Sequence, residues 1–84
     1  MKNVTIYSTS YCPYCVRAKQ LFTQLGHPFE EIDVTEDQAK RAWLEQTTGR
    51  RTVPQIFIGE EHVGGCDDVY ALHKAGQLVS KLGR

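Results

Sequence analysis

Apolar and polar positions change period along the chain, and each change marks an element. Val4-Thr5-Ile6-Tyr7-Ser8 is a short apolar run that predicts a strand buried for most of its length. From Pro13 the period lengthens. Ala18, Leu21, Phe22 and Leu25 recur at three- and four-residue spacing and form one apolar stripe, as on an amphipathic helix. Pro13 suits the first helical position, where a missing N–H costs nothing, and Gly26 suits the residue just past the end. Phe29 to Val34 predicts a second strand with imperfect alternation. A strand–helix–strand unit of about thirty residues suits a right-handed parallel crossover.

Thr35-Glu36-Asp37-Gln38 has the look of a helix start, with Thr35 as cap and Gln38 three residues later. That helix is expected to reach about Thr47, with Trp43 on its buried side and Gly49 ending it. Pro54 precedes the strand Gln55 to Ile58, Gly59-Glu60 turns the chain, and Glu61-His62-Val63 returns as a hairpin partner. Gly64-Gly65 breaks the pattern. Asp67-Asp68 then open a third helix with Val69, Leu72 and Ala75 facing inward. Gly76 punctuates, and Leu78, Val79 and Leu82 close a short last helix. The order β-α-β-α-β-β-α is that of an α/β protein: a parallel pair joined to an antiparallel hairpin in a four-stranded mixed sheet, with helices on both faces.

Composition narrows the function classes. The chain has 84 residues, which suits a single domain spanning 1–84. Lys+Arg and Asp+Glu both number 10, so the formal net charge is zero. That balance makes no case for nucleic acid or a membrane surface as partner. The longest purely apolar run, Ile56-Phe57-Ile58, is far too short to span a bilayer. Met1-Lys2-Asn3 leads straight into a strand pattern, so no signal peptide is expected. The chain carries 3 cysteines. An odd count suits a reducing, cytoplasmic setting with one functional pair and one extra thiol.

The functional pair is Cys12-Pro13-Tyr14-Cys15, placed where the first strand gives way to the first helix. Two thiols two residues apart at a helix start make a dithiol redox device. The thiolate is the attacking form, and the unsatisfied N–H groups and dipole of a helix start favour an anion. Cys12 is therefore read as nucleophile. Cys15, one turn on, can resolve a mixed disulfide by attacking the Cys12 sulfur. Half a zinc site, completed by Cys66 and His62, is the alternative. The lack of a second Cys-X-X-Cys weighs against it. A static disulfide across so short a loop would add little stability.

Three motifs in order and at matching spacing, Cys12-Pro13-Tyr14-Cys15, Thr52-Val53-Pro54 and Gly64-Gly65-Cys66-Asp67-Asp68, resemble those of a dithiol glutaredoxin. The likeness spans essentially the whole chain and is greatest to small bacterial glutaredoxins. It implies a thioredoxin fold. It also implies a glutathione-dependent thiol–disulfide oxidoreductase that reduces protein disulfides and glutathione mixed disulfides. Such an enzyme serves cell redox homeostasis with glutathione as co-substrate and no permanently bound cofactor or metal. It would act as a monomer on disulfide-containing or glutathionylated proteins.

Residue by residue, the resemblance implies that Cys12 becomes glutathionylated and Cys15 resolves. Val53 would pair its backbone with the cysteinyl part of glutathione, beside Thr52 and a cis Pro54. Asp67 would hold the γ-glutamyl end, helped by the backbone N–H groups of Cys66 and Asp67 at a helix start, with Gly65 also at the glutathione site. Tyr14 would line the groove, and Arg41 would stand near the glycyl carboxylate. Thr9 departs from the pattern, since many glutaredoxins carry lysine there, and this leaves the site one cation short. An alternative function is a glutathione-ligated [2Fe–2S] carrier, although such glutaredoxins more often have a small residue in place of Pro13. The remaining candidates have plainer readings. Asp68 is an ordinary helix-start charge, Arg50-Arg51 a solvated pair, and Trp43 core packing. His27, His62 and His73 are not catalytic, and Cys66 is a buried, inert thiol.

Overall fold

The protein is described by a computed structural model covering residues 2–83. Its elements are β1 (Val4–Ser8), α1 (Pro13–Gln24), β2 (Phe29–Asp33), α2 (Gln38–Thr48), β3 (Gln55–Ile58), β4 (Glu61–Gly64), α3 (Cys66–Lys74) and α4 (Leu78–Lys81). The sheet order is β2-β1-β3-β4. β1 pairs in parallel with β2, placing Val4 opposite Phe29, and antiparallel with β3, placing Ile6 opposite Ile56. β4 closes the sheet as the hairpin partner of β3.

Strand side chains alternate between faces, and the register turns that alternation into two cores. On one face Val4, Ile6, Ile56 and Ile58 pack against Ala18, Leu21 and Phe22 of α1, Val69 of α3, and Leu78 and Leu82 at the C-terminal end. On the other, Tyr7 and Val34 meet Leu44 of α2, with Ile32, Val53 and Phe57 beside them. The thicker core thus lies under α1 and α3, the two helices whose first residues carry the cysteine motifs. This arrangement is the thioredoxin fold of glutaredoxins. Among the described residues no helix is long and apolar enough to cross a membrane.

Three expectations shift. Asp37, not Thr35, caps α2, its carboxylate accepting the Lys40 N–H at 2.9 Å. Thr35 is spent elsewhere: its hydroxyl accepts the Ser10 N–H at 2.9 Å, and its own N–H donates to Asp33 at 2.8 Å. This ties the loop before Cys12 to the end of β2. Trp43 is 42% exposed. A single helix covers that face, so the indole at its edge stacks on Phe57 with centroids 6.3 Å apart and leaves its other side under Lys40. Ala75, the residue that ends α3, is exposed rather than inward, and on α4 Leu78 and Leu82 are buried while Val79 is exposed. Gly49 ends α2 as expected, in the left-handed region at φ +74°.

Candidate active site

Cys12 is the N-cap of α1 and Pro13 its first residue, so the chain leaves β1 and turns into the helix at the thiol itself. The Cys15 N–H donates to the Cys12 Sγ at 3.1 Å, the bond a capping oxygen ordinarily accepts. The Cys12 thiol donates in turn to the Val53 carbonyl at 3.6 Å. Cys12 is partly exposed, while Cys15 is buried at 1% exposure, and both are free thiols. Burial first, and the hydrogen bond with Cys12 second, push the Cys15 thiol up to about 12. The two sulfurs are therefore unequal by construction. One is reachable and fed by a helix N–H; the other is closed off and protonated at neutral pH.

A groove of about 220 Å³ lies beside Tyr14 of the dithiol motif, between the β3 approach and the start of α3. It brings together seven of the expected residues: Tyr14, Thr52, Val53, Pro54, Gly65, Cys66 and Asp67. The Val53–Pro54 peptide is cis. The walls approach closely, since a Cβ on Gly65 would lie 3.3 Å from the Pro54 carbonyl oxygen. Gly64 stands at φ +118°, and a Cβ there would run into the Asp68 carboxylate. Arg41 is set apart from this groove. It sits on α2 with Gln38, Ala42, Glu45 and Arg51 around a separate depression, because α2 covers the opposite face of the sheet from α3. Thr9 is buried, at 8% exposure.

Three groove residues, Arg50, Cys66 and Asp68, were given plainer readings from sequence. Asp68 Oδ2 accepts from Arg50 Nη1 and from the Gly65 N–H, both at 2.8 Å. Those two bonds, the Arg50 one foremost, hold its carboxyl below the usual range. Asp68 thus joins the helix start to the loop that carries Arg50. Asp67, its neighbour, is exposed and lines the groove. Cys66 is 5% exposed, and burial, then Asp67, push its thiol up, which agrees with an inert side chain whose backbone lines the site.

Behind the groove, the fully buried Gln55 donates from Nε2 to the Thr52 carbonyl at 2.8 Å and to its hydroxyl at 3.2 Å. Gln55 Oε1 meets His62 Nε2 at 2.6 Å. The sequence carried one signal for this pair: a polar side chain directly after Pro54 at a position the β3 pattern buries. Among the described residues no group of three or more His, Cys, Asp or Glu side chains is arranged to hold a metal ion.

Comparison with known proteins agrees with this geometry. A sequence model of the glutaredoxin family matches residues 4–63. The chain is 54% identical over 82 residues to a glutaredoxin of Pseudomonas aeruginosa, covering 98% of each. It is 50% identical over 78 residues to glutaredoxin 3 of Escherichia coli strain K12, covering 93% of this chain and 94% of the relative. It also superposes on the buckwheat glutaredoxin–glutathione complex with a TM-score of 0.90 at 44% identity, covering 95% of this chain and 76% of the other. The chain belongs to the glutaredoxin family and is a thiol–disulfide oxidoreductase.

Proposed function

We propose that this glutaredoxin reduces glutathione mixed disulfides through Cys12 alone and protein disulfides through Cys12 and Cys15 together. The observation that carries this reading is the Cys15 N–H on the Cys12 sulfur at 3.1 Å. It aims a backbone donor at the Cys12 sulfur and sets the resolving cysteine one turn away. On a mixed disulfide, the Cys12 thiolate attacks the glutathionyl sulfur. The S–S bond breaks, and the substrate thiolate leaves and takes a proton from water. A second glutathione thiolate then attacks the glutathionyl sulfur on Cys12, and glutathione disulfide departs. On a protein disulfide, Cys12 first bonds one substrate sulfur. Cys15 then gives up its proton and attacks the Cys12 Sγ, releasing the reduced substrate and closing a Cys12–Cys15 disulfide that two glutathiones reduce.

The groove fits that co-substrate. Once Cys12 loses its proton, the Val53 carbonyl that accepted from the thiol is free to accept a backbone N–H of glutathione. The Asp67 carboxylate meets the γ-glutamyl ammonium, and the first N–H groups of α3 meet its carboxylate. Arg50, already at the groove, takes the part first given to Arg41 as the cation near the glycyl end. The buckwheat neighbour is a glutathione complex, which supports this placement. Pro13 at the first position of α1 favours the enzyme over the cluster carrier. We place its action in the cytoplasm, as a monomer, on disulfide-containing or glutathionylated proteins.

The test is glutathione-coupled turnover of a small glutathione mixed disulfide and of a protein disulfide. Cys12→Ser should abolish both. Cys15→Ser should keep the first and lose the second. Full activity in Cys12→Ser would overturn the assignment, and an absorbing cluster in protein purified without oxygen would favour the carrier.

A further inference from the structure

We propose that His62 is a positioning residue for glutathione, acting through Gln55 on the Thr52–Val53 wall of the groove. The inference rests on the reading of the groove given above.

A fully buried amide must be satisfied on both ends, and here the partners decide its orientation. The Thr52 carbonyl can only accept, so Gln55 Nε2 faces it at 2.8 Å. Gln55 Oε1 therefore faces His62 Nε2 at 2.6 Å, and that ring nitrogen carries the hydrogen. The bonds run in one direction, His62 to Gln55 to Thr52. Thr52 precedes Val53, whose carbonyl accepts the Cys12 thiol. The wall residue that pairs with the co-substrate is thus anchored one residue upstream by a side chain on the far strand of the hairpin.

The ring is itself fixed. Phe57 lies 5.2 Å from it, centroid to centroid. Arg50 and Asp68 are close enough for their charges to act on it, and both line the groove. His62 therefore reaches the Thr52–Val53 wall through Gln55, while the charges of two groove residues, Arg50 and Asp68, act on its ring. Nothing in this arrangement places the imidazole at the sulfur chemistry. Its effect is on where Thr52 and Val53 stand when glutathione docks.

The test compares the full chain with His62→Leu and His62→Gln. Leucine removes the donor and leaves the Gln55 oxygen buried and unpaired. Glutamine puts an N–H near the place of Nε2 and restores the bond without a titrating ring. With a glutathione mixed disulfide of a small thiol as substrate, His62→Leu should raise KM about fivefold or more. Its kcat should stay within twofold, and His62→Gln should return KM to within twofold of the parent. A second measurement needs no variant. Unreactive S-methylglutathione, added to the parent protein, should shift the NMR signals of the His62 ring and the Gln55 side-chain amide. Unchanged KM in a folded His62→Leu protein, or equal loss in His62→Gln, overturns the proposal. So does an S-methylglutathione titration that moves Val53 but neither Gln55 nor His62. If the parent neither turns over the mixed disulfide nor binds S-methylglutathione, the glutathione reading itself falls, and this inference with it.

Discussion

Asp67 and Asp68 are adjacent acids with separable duties, and exchanging each in turn tests the site's construction. Asp68→Ala removes two bonds at once: the one that caps the start of α3 at Gly65, and the pair with Arg50. A helix-start bond of this kind is worth about 0.5–2 kcal/mol. The Arg50 and Asp68 side chains are 46% and 42% exposed, so their pairing belongs to the weak, solvent-screened class at about 0.2–1 kcal/mol. Together they come to about 0.7–3 kcal/mol. At 4–8 °C per kcal/mol for a domain of this size, Tm should fall by about 3–24 °C. Asp68→Asn keeps a neutral acceptor for the Gly65 N–H and should lose the smaller part. Asp67→Ala removes only a first-turn charge, about 0.3–1 kcal/mol, and should be the mildest of the three. In 1 M salt, where the Debye length is about 3 Å, the difference between Asp68→Asn and the parent should shrink while the Asp68→Ala loss largely persists. The assay is thermal unfolding followed by far-UV circular dichroism at low and high salt. A shift below about 1 °C for Asp68→Ala, or a larger loss for Asp67→Ala, would refute the division of labour.

Three further outcomes are expected. At neutral pH, iodoacetamide should label Cys12 and spare Cys15 and Cys66, because burial keeps both of the latter as thiols; peptide mapping that finds Cys15 labelled as fast as Cys12 contradicts this. Asp67→Lys and Arg50→Ala should each raise the KM for glutathione by about tenfold, the size of one charged hydrogen bond to a carboxylate or ammonium, whereas Arg41→Ala should leave it within twofold. Acid should destabilise the fold below about pH 5. The carboxyls of Asp68 and Glu31 are held below their ordinary values, Asp68 chiefly by Arg50 and Glu31 chiefly by Lys19. The unfolded chain therefore binds the more protons there, and stability is lost as pH falls through the folded values. Urea midpoints from pH 7 to 3 should show a smaller acid loss in Asp68→Asn than in the parent.

The strands and the cysteine helix were legible because they satisfy local rules. The β1 pattern, the stripe from Ala18 to Leu25 and the glycine after α2 each carry their meaning within a few residues. The cap of α2 was misplaced because Thr35 and Asp37 are both competent caps. The choice was made by a partner 25 positions away, the Ser10 N–H. Arg50, Asp68, Gln55 and His62 escaped for the same reason. Each acts through a partner supplied by another element, and a polar side chain in a short strand or loop looks solvated until the topology shows what it faces. Arg41 shows how far local reading reaches, for α2 sets it beside a depression of its own with Gln38, Ala42, Glu45 and Arg51. Position on α2 implied a place near the substrate, and only the sheet order shows that α2 lies on the other face.

The central claim is that Cys12 alone takes up glutathione, which a second glutathione removes, and that Cys15 serves to resolve protein mixed disulfides. Mass spectrometry of the Cys15→Ser protein after incubation with glutathione disulfide tests it most directly. The account predicts one glutathione per chain, mapped to Cys12, released by added glutathione, and absent from a Cys12→Ser protein treated in the same way. Glutathione found on Cys66 in its place, or a Cys12→Ser protein that takes up glutathione at Cys15 at the same rate, would contradict it.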